Sequence, residues 1–107
     1  MALRIYGVAI DMLRMLRPVM ERIGTKDANL GDQLRRAATS VPLNLNEGAY
    51  SQGRNERARW HNAMGSAAEV RACLDVAEAL GYVEKVDEDL RGALDHIIGT
   101  LHRLTHR

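Results

Sequence analysis

The stretch that decides the fold runs from residue 33 to residue 48 and reads QLRRAATSVPLNLNEG. Its apolar residues, and those that flank it, follow the i, i+3, i+4 spacing that places side chains on one face of a helix. These residues are Leu30, Leu34, Ala37, Ala38, Val41, Leu45 and Ala49. Pro42 lacks the N–H that would bond the carbonyl of Ala38, so we expect a kink or break nearby. The stretch therefore predicts an amphipathic helix interrupted by polar residues and a proline.

Another amphipathic helix is predicted over about residues 2–23, with two apolar stripes. The heptad stripe consists of Ile5, Ala9, Met12, Leu16, Val19 and Ile23. The neighbouring stripe consists of Leu3, Tyr6, Ile10, Leu13 and Met20. Pro18 should bend this helix, and Gly24 predicts its C-terminal end. Because the apolar arc is wide, we expect this helix to contribute to a subunit interface as well as to the core.

Polar residues and a glycine predict the limits of the proline-containing helix. Thr25, Asp27 and Asn29 all suit an N-cap, so this second helix should begin near residues 26–30. Gly53 suits the left-handed position that follows a helix C-terminus. The second helix is therefore predicted to end just before Gly53.

Two further helices are predicted after this turn. The third begins with an N-cap at Asn55 and runs to about Leu80, before Gly81, and the fourth begins near residues 85–87. The core stripe of the third helix is Trp60, Ala63, Met64, Ala67, Val70, Leu74 and Ala77. An alanine-rich side beside it carries Ala72, Cys73, Val76 and Ala79. The core stripe of the fourth helix is Val86, Leu90, Ala93, Leu94, Ile97, Ile98, Leu101 and Leu104.

Nothing in the sequence reads as a strand, and the connections between the predicted helices are short. Sequential helices should therefore pack antiparallel. We predict an all-α protein with a single domain, residues 1–107, folded as an antiparallel up-down-up-down four-helix bundle. The surplus apolar face of the first helix and the alanine-rich side of the third predict a homo-oligomer.

Antiparallel pairing of the second and third helices would bring two polar clusters together. Their members are Ser40, Pro42, Asn44, Glu47, Gly48, Gly65, Ser66 and Glu69. A turn centred near Gln52 predicts an ion pair between Arg36 and Glu69. It predicts a second pair between Glu47 and Arg57. The glycines should allow close backbone approach, and hydroxyl or amide groups of Ser66 or Asn44 should bond carbonyls freed near the proline. We interpret the clusters as structural rather than catalytic.

The same stretches resemble the motifs of a known bacterial family. Residues 40–48, SVPLNLNEG, resemble the Ser-Ile-Pro-x-Asn-Ile-Ala-Glu-Gly motif of the four-helix-bundle proteins first noticed in intervening sequences of large-subunit ribosomal RNA genes. The likeness extends through LRRAA at residues 34–38, AMGSAAE at residues 63–69 and LGYV at residues 80–83. Val41 and Leu45 stand where the motif has isoleucines.

This resemblance implies a four-helix bundle that commonly assembles as a ring-like homopentamer. It also implies kinship with the accessory variability determinant of diversity-generating retroelements, a pentamer that binds nucleic acid and a reverse transcriptase. That protein is strongly basic, whereas the net charge of this chain is +1. The family has no well-defined biochemical activity.

The composition indicates a globular protein of the cytoplasm. Hydrophobic residues make up 46% of the chain, and no run approaches the length of a membrane span. The first residues lack a continuous apolar segment, so a secretory signal is not expected. Cys73 is the one cysteine, which permits no internal disulfide. On an alanine-rich helix we expect it to be a small buried residue.

The sequence predicts neither an enzyme nor a cofactor or metal protein. Di-iron bundles need Glu-x-x-His pairs, and none occurs. His102 and His106 have the i, i+4 spacing of a metal site but no obvious third ligand. His61 and His96 are expected at the surface or at an interface. No phosphate-binding glycine loop and no Ser-His-Asp arrangement is visible.

An arginine cluster suggests a nucleic-acid surface. Its members are Arg35, Arg36, Arg54, Arg57 and Arg59. A ring would repeat any such patch and raise the local potential despite the small net charge. Aromatic residues make up only 4% and phenylalanine is absent, so binding should depend on phosphates and have weak sequence specificity.

Two functional hypotheses remain open. In the first, the protein is a non-catalytic oligomer that contacts RNA or DNA phosphates through these arginines. In the second, it is a protein assembly or adaptor module without a nucleic-acid role, and the arginines belong to solvated helix faces paired with Glu47 and Glu56. Salt sensitivity separates the two, because counterions compete with phosphate contacts more than with apolar ones.

Overall fold

The computed structural model describes residues 2–106 and places four α-helices in that range. They are α1 (Ala2–Lys26), α2 (Ala28–Ala49), α3 (Gly53–Ala79) and α4 (Glu88–Thr105). Residues 2–106 contain no strand. The molecule measures 42 × 24 × 20 Å. Since a helix of the length of α3 is about 40 Å long, the four helices must lie side by side.

Each helix packs against its neighbours in sequence, and α1 also packs against α4. Asp27 alone joins α1 to α2, and residues 50–52 join α2 to α3. Such short connections make consecutive helices antiparallel. The predicted four-helix bundle is therefore confirmed for the single chain. Its assembly into a ring remains a prediction.

The α1–α2 turn differs from the prediction at Gly24. The helix does not end at this residue but continues to Lys26. Gly24 instead lies against Gly31, where an added Cβ would be 2.8 Å from the Cα of Gly24. The glycines allow the two helix backbones to approach each other beside the one-residue turn. Asp27 is the N-cap of α2, as predicted, since its Oδ1 accepts the Leu30 N–H at 3.0 Å.

Neither proline breaks its helix. Pro18 is an exposed residue inside α1, and Pro42 is a buried residue inside α2. The expectation of a break at Pro42 is therefore wrong, whereas the alternative of a kink there and the bend at Pro18 stay predictions. Val41 and Leu45 on the two sides of Pro42 are both fully buried, and this packing holds the two halves of α2 in one helix.

The start of α3 also differs from the prediction. Gly53 has the expected left-handed conformation, with a φ of +59°, but it is the first residue of α3 rather than the end of α2. The C-cap of α2 is Tyr50, and the N-cap of α3 is Gln52. The prediction that Asn55 caps α3 is wrong, because Asn55 lies within its first turn.

The end of α3 is a Schellman motif around Gly81. This residue has a φ of +76°. Its N–H bonds the carbonyl of Glu78 at 3.0 Å, and the N–H of Tyr82 bonds the carbonyl of Ala77 at 2.9 Å. The Tyr82 hydroxyl donates to the Asp27 carboxylate at 3.1 Å, which raises the pKa of Tyr82. The loop after α3 is thus tied to the α1–α2 turn.

Most positions of the predicted core stripes are buried; the exceptions outside α1 are Leu30, Met64, Ala93 and Ile98, which are half-buried, and Ala49, which is exposed. In the heptad stripe of α1 every position is buried except Val19, which is half-buried. Trp60 is 6% exposed, and the largest fully buried side chains of α4 are Leu90, Leu94, Ile97 and Leu101. Cys73 is 4% exposed, so the prediction of a small buried residue is confirmed. Desolvation raises the pKa of its thiol, and the charge of Glu69 adds to this shift.

Two predicted apolar faces remain partly uncovered in the single chain. On α1, Tyr6 is exposed, and the other described members of its stripe are half-buried, namely Ile10, Leu13 and Met20. The Leu3 side chain lies outside the described ones. On the alanine-rich side of α3, Ala72, Val76 and Ala79 are exposed. These faces are available for contact with another molecule.

Candidate nucleic-acid interface

The two polar clusters meet between α2 and α3, at serines from the two helices. The Ser40 and Ser66 hydroxyl oxygens are 2.8 Å apart. The Asn44 amide donates to the Ser40 hydroxyl at 2.9 Å and to the Ser40 carbonyl at 3.0 Å. These bonds satisfy the half-buried polar groups across the helix pair. The structural interpretation of this part of the cluster agrees with the geometry.

The predicted ion pairs do not form, because the two helices face each other in a different register. Glu47 pairs with Arg59 at 3.1 Å rather than with Arg57. Arg36 and Glu69 are both exposed, and within residues 2–106 they form no ion pair with each other. The α3 residue that pairs with a given α2 residue lies two positions later in the chain than a turn centred on residue 52 predicts. Residues two positions apart point in directions that differ by about 200° around a helix. With the shifted pairing, the Glu69 side chain therefore lies in solvent and not against α2.

Of the two glycines in these clusters, only Gly48 makes a close contact. The Trp60 indole lies directly against it, and a Cβ at this position would overlap the ring. The indole N–H is buried and has no hydrogen-bond partner among the described residues. Gly65 is exposed, with no atom of another residue within 4 Å of an added Cβ. The predicted close approach of two backbones is therefore found at neither glycine: Gly48 makes room for a side chain, and Gly65 is exposed.

A double-mutant cycle should measure the contact between the serines. Ser40→Ala and Ser66→Ala should each lower the free energy of unfolding by about 0.5–1.5 kcal/mol, since each leaves a half-buried hydroxyl without its partner. The double variant should cost at least about 0.5 kcal/mol less than the sum of the single changes. Chemical denaturation measures all four free energies. Arg36→Ala with Glu69→Ala is the control cycle and should be additive; additive losses at the serines would contradict the contact.

The arginine cluster separates into distinct positions. Arg54 and Arg57, on the first turns of α3, line a cleft of about 290 Å³ together with His61 and His106. Within residues 2–106 no carboxylate lines this cleft. Arg54 and Arg57 are both exposed, and no ion pair to either is found among the described residues. The cleft therefore concentrates uncompensated positive charge.

The other three arginines lie elsewhere. Arg59 lines a separate polar cleft of about 350 Å³ beside Asn55 and Asn62, and Glu47 partly neutralises it. Arg35 lines a groove between α1 and α2. Arg35 and its exposed neighbour Arg36 are about 20 Å along the helix axis from the end of α2. The structure thus brings two of the five predicted residues into one cleft.

The bundle has one basic end, which the linear sequence does not make obvious. Antiparallel packing brings together the start of α1, the end of α2, the start of α3 and the end of α4. The cationic and histidine side chains of this basic end are Arg4, Arg54, Arg57, Arg59, His61, His96, His102, Arg103 and His106. The acidic residues Glu84, Asp87, Glu88 and Asp89 lie toward the opposite end. The arrangement could have been predicted from two features of the sequence: these residues lie near helix termini, and an antiparallel topology brings those termini to the same end of the bundle.

The histidines of α4 stack on each other at the basic end. The ring centroids of His102 and His106 are 4.1 Å apart, and the planes make an angle of 19°. Nδ1 of His106 is 2.9 Å from the His102 carbonyl oxygen and 3.1 Å from the Thr105 hydroxyl. Within residues 2–106, no three histidine, cysteine or acidic side chains are grouped as metal ligands. This pair therefore extends the cleft of Arg54 and Arg57 as a polar aromatic surface.

The chain matches one protein-family model over nearly its whole length. The model of a family described as 23S rRNA-intervening sequence protein matches residues 2–103. The chain belongs to this family. The match includes α1 and most of α4, beyond the residues whose motifs indicated the resemblance. Comparisons with curated proteins and with solved structures gave no match.

The family supplies a link to ribosomal RNA through its description. Kinship with the retroelement accessory protein remains a prediction. Among the described residues, no helix combines the length and hydropathy needed to cross a membrane.

Proposed function

We propose that this family member is a non-catalytic protein that binds the phosphates of RNA or DNA through its basic end. The observation that carries the proposal is the cleft of Arg54 and Arg57, which has no carboxylate in its lining among the described residues. A guanidinium can donate two hydrogen bonds to one phosphate, so such a cleft suits a nucleic-acid backbone. The 23S rRNA-intervening sequence description of the family supports RNA as the first ligand to test.

The distribution of charge along the bundle also supports this proposal. Five arginines lie at the basic end with Glu47 and Glu56 beside them, whereas the opposite end carries the acidic loop between α3 and α4 together with Lys26 and Lys85. A nucleic acid would therefore be attracted to the basic end and repelled from the opposite one. Arg59 contributes less because Glu47 accompanies it. Arg35 and Arg36 would reach only a ligand that extends along the bundle.

Salt-dependent binding tests the proposal. Arg54→Gln combined with Arg57→Gln should weaken binding of single-stranded RNA at low salt. It should also reduce the slope of log affinity against log salt by about 1.4 per protomer, because about 0.7 is lost with each phosphate contact to a single strand. Fluorescence anisotropy with a labelled oligonucleotide at several salt concentrations gives both quantities. DNA of the same sequence shows whether the ligand is RNA alone.

The matched control is Arg14→Gln combined with Arg71→Gln. It changes the net charge by the same amount, but these arginines are paired with Asp11 and Asp95. The control should keep the wild-type salt slope. Equal losses in both double variants would show that only the total charge matters, and absence of binding at low salt would reject the nucleic-acid role.

The second candidate is a protein assembly module, and exposed apolar side chains favour it. Tyr50 is 87% exposed and Leu43 is 61% exposed. Isolated surface apolar residues are common, so these two alone do not define an interface. This function would be preferred if the protein binds no RNA or DNA but its surface variants lose a protein partner.

We also propose that the chain forms a homo-oligomer, with a pentameric ring as the expected form. The uncovered apolar face of α1 and the alanine-rich side of α3 support this proposal, because their side chains lose water only on contact with another surface. A ring would bring several copies of the basic end together. The effective concentration of phosphate-binding groups would then increase without any new contact.

Val76→Arg tests the proposed use of the α3 side. Val76 is 44% exposed, so an arginine at this position fits the single chain but places charge in an apolar contact between chains. Light scattering should give about five times the chain mass of 11.9 kDa for the wild type and a lower mass for the variant. Leu43→Arg, on α2, should keep the wild-type mass. A wild-type protein of one chain mass would refute self-association.

A further inference from the structure

A second cleft lies on the other side of the end of α4, in the seam between α1 and α4. It has a volume of about 440 Å³ and is lined by Arg4, Ile5, His96, Thr100 and Arg103. This volume is in the range of sites for small molecules. None of its residues belongs to the cleft of Arg54 and Arg57. We call it the α1–α4 cleft.

The polar groups of the α1–α4 cleft suit an anion. Arg4 and Arg103 come from different helices and are both exposed, and no carboxylate of the described residues lines the cleft. Within residues 2–106 neither arginine forms an ion pair. The Arg103 guanidinium donates to the hydroxyl of Thr100 at 3.2 Å, which orients it at the edge of the cleft. The imidazole of His96 adds a further polar group to the lining.

The floor of the α1–α4 cleft is apolar. Ile5 is 3% exposed and belongs to the core, so its side chain closes the bottom of the cleft. Thr100 is 8% exposed and adds a methyl group beside the hydroxyl that Arg103 binds. Because Ile5 and Thr100 are already buried, the apolar surface still exposed in the cleft lies mainly on the other lining residues, and a small inorganic ion at the guanidiniums would leave those carbon atoms in water. The complementary ligand is therefore an anion that carries an organic group.

We propose that the α1–α4 cleft binds a phosphate monoester, with the phosphate between Arg4 and Arg103 and its organic group over Ile5. A phosphate monoester has three terminal oxygens and close to two negative charges at neutral pH. Two guanidiniums can share those oxygens and balance both charges, whereas a carboxylate offers two oxygens and one charge. This site is separate from the proposed backbone contact, so either one can exist without the other.

Adenosine monophosphate is the probe for this site. Calorimetric titration of the wild-type protein at low salt should detect binding, and inorganic phosphate should bind more weakly because it does not cover the exposed apolar lining of the cleft. Arg4→Gln combined with Arg103→Gln should weaken adenosine monophosphate by at least about tenfold, since it removes two charge-assisted contacts. Amide chemical shifts should move at Ile5 and Thr100 on titration, which locates the ligand independently of the variants.

The control is the Arg54→Gln and Arg57→Gln double variant. It should keep the wild-type affinity for adenosine monophosphate even if it loses RNA, so the two proposals can fail separately. A loss of nucleotide binding equal to that of the Arg4 and Arg103 variant would overturn the site. No binding by the wild type, or shifts confined to the Arg54 cleft, would also overturn it.

A short RNA with and without a 5′-phosphate distinguishes two sources of the same chemical group. If the phosphorylated RNA binds more tightly and loses this advantage in the Arg4 and Arg103 variant, the site takes the end of a strand. If only adenosine monophosphate depends on these arginines, the site takes a free nucleotide. Both outcomes support a phosphate-monoester site in the α1–α4 cleft.

Discussion

Gly48→Ala is expected to lower the free energy of unfolding by about 1–3 kcal/mol. The new Cβ would overlap the Trp60 indole, which lies directly against this glycine. The ring is 6% exposed and large, so it cannot leave the contact without disturbing its neighbours in the core. Trp60 is the one tryptophan of the chain, and its fluorescence therefore reports the site directly. We expect its emission to move to longer wavelength as the ring gains contact with water.

Gly65→Ala is the matched control for this experiment. Both glycines are helical and belong to the predicted polar clusters, but an added Cβ at Gly65 meets no other residue within 4 Å. The free energy of unfolding should increase by about 0.5–1 kcal/mol, because alanine restricts the unfolded chain and favours the helix. A Gly48→Ala protein as stable as the wild type, with unchanged emission, would refute the contact.

Gly31→Ala should have a comparably large destabilising effect on the α1–α2 pair. The added Cβ would lie 2.8 Å from the Cα of Gly24 and 3.3 Å from its nitrogen. Both are backbone atoms, so no rotamer change relieves the overlap and the helices must move apart. Asp27 alone joins them, which leaves little freedom for that movement. We expect a loss of about 1–3 kcal/mol, measured by chemical denaturation.

Gly24→Ala is the control, because Gly24 is the other residue of the contact with Gly31. A Cβ built at Gly24 meets nothing within 4 Å, so this variant should be as stable as the wild type or gain about 0.5–1 kcal/mol. Opposite effects at the two glycines are the signature of the proposed packing. Equal effects would indicate that helix propensity alone determines the outcome at both positions.

Much of the fold could be predicted from local patterns, because a periodic apolar stripe specifies a helix and its buried face. The stripes of the four helices contain the observed core except for Cys73, on the alanine-rich side of α3, and Val83, in the loop after α3. Helix ends were less predictable. Gly24 and Asn55 are residue types that favour helix termini, yet both lie inside helices. Gly24 packs against Gly31 of α2, and such a contact between helices is not contained in a local pattern.

The candidate site could be predicted only in part. The sequence predicted that Ser66 or Asn44 would bond carbonyls freed near Pro42, whereas in the structure Ser66 bonds the Ser40 hydroxyl and Asn44 bonds the Ser40 hydroxyl and carbonyl. It paired Glu47 with Arg57, whereas the partner is Arg59. The residue types were correct and the register was wrong, because a shift of two residues along α3 changes which side chains face α2.

The sequence by itself determined the helical class, the four core faces, the family and the supply of arginines. These properties follow from residue identity and from spacing along one helix. Only the tertiary structure decided which charges lie together. It joined Arg54 and Arg57 with His106, and Arg4 with Arg103, although these residues are far apart in the chain. The physical reason is that antiparallel packing, set by burial of the apolar faces, brings opposite termini of successive helices to the same end of the bundle.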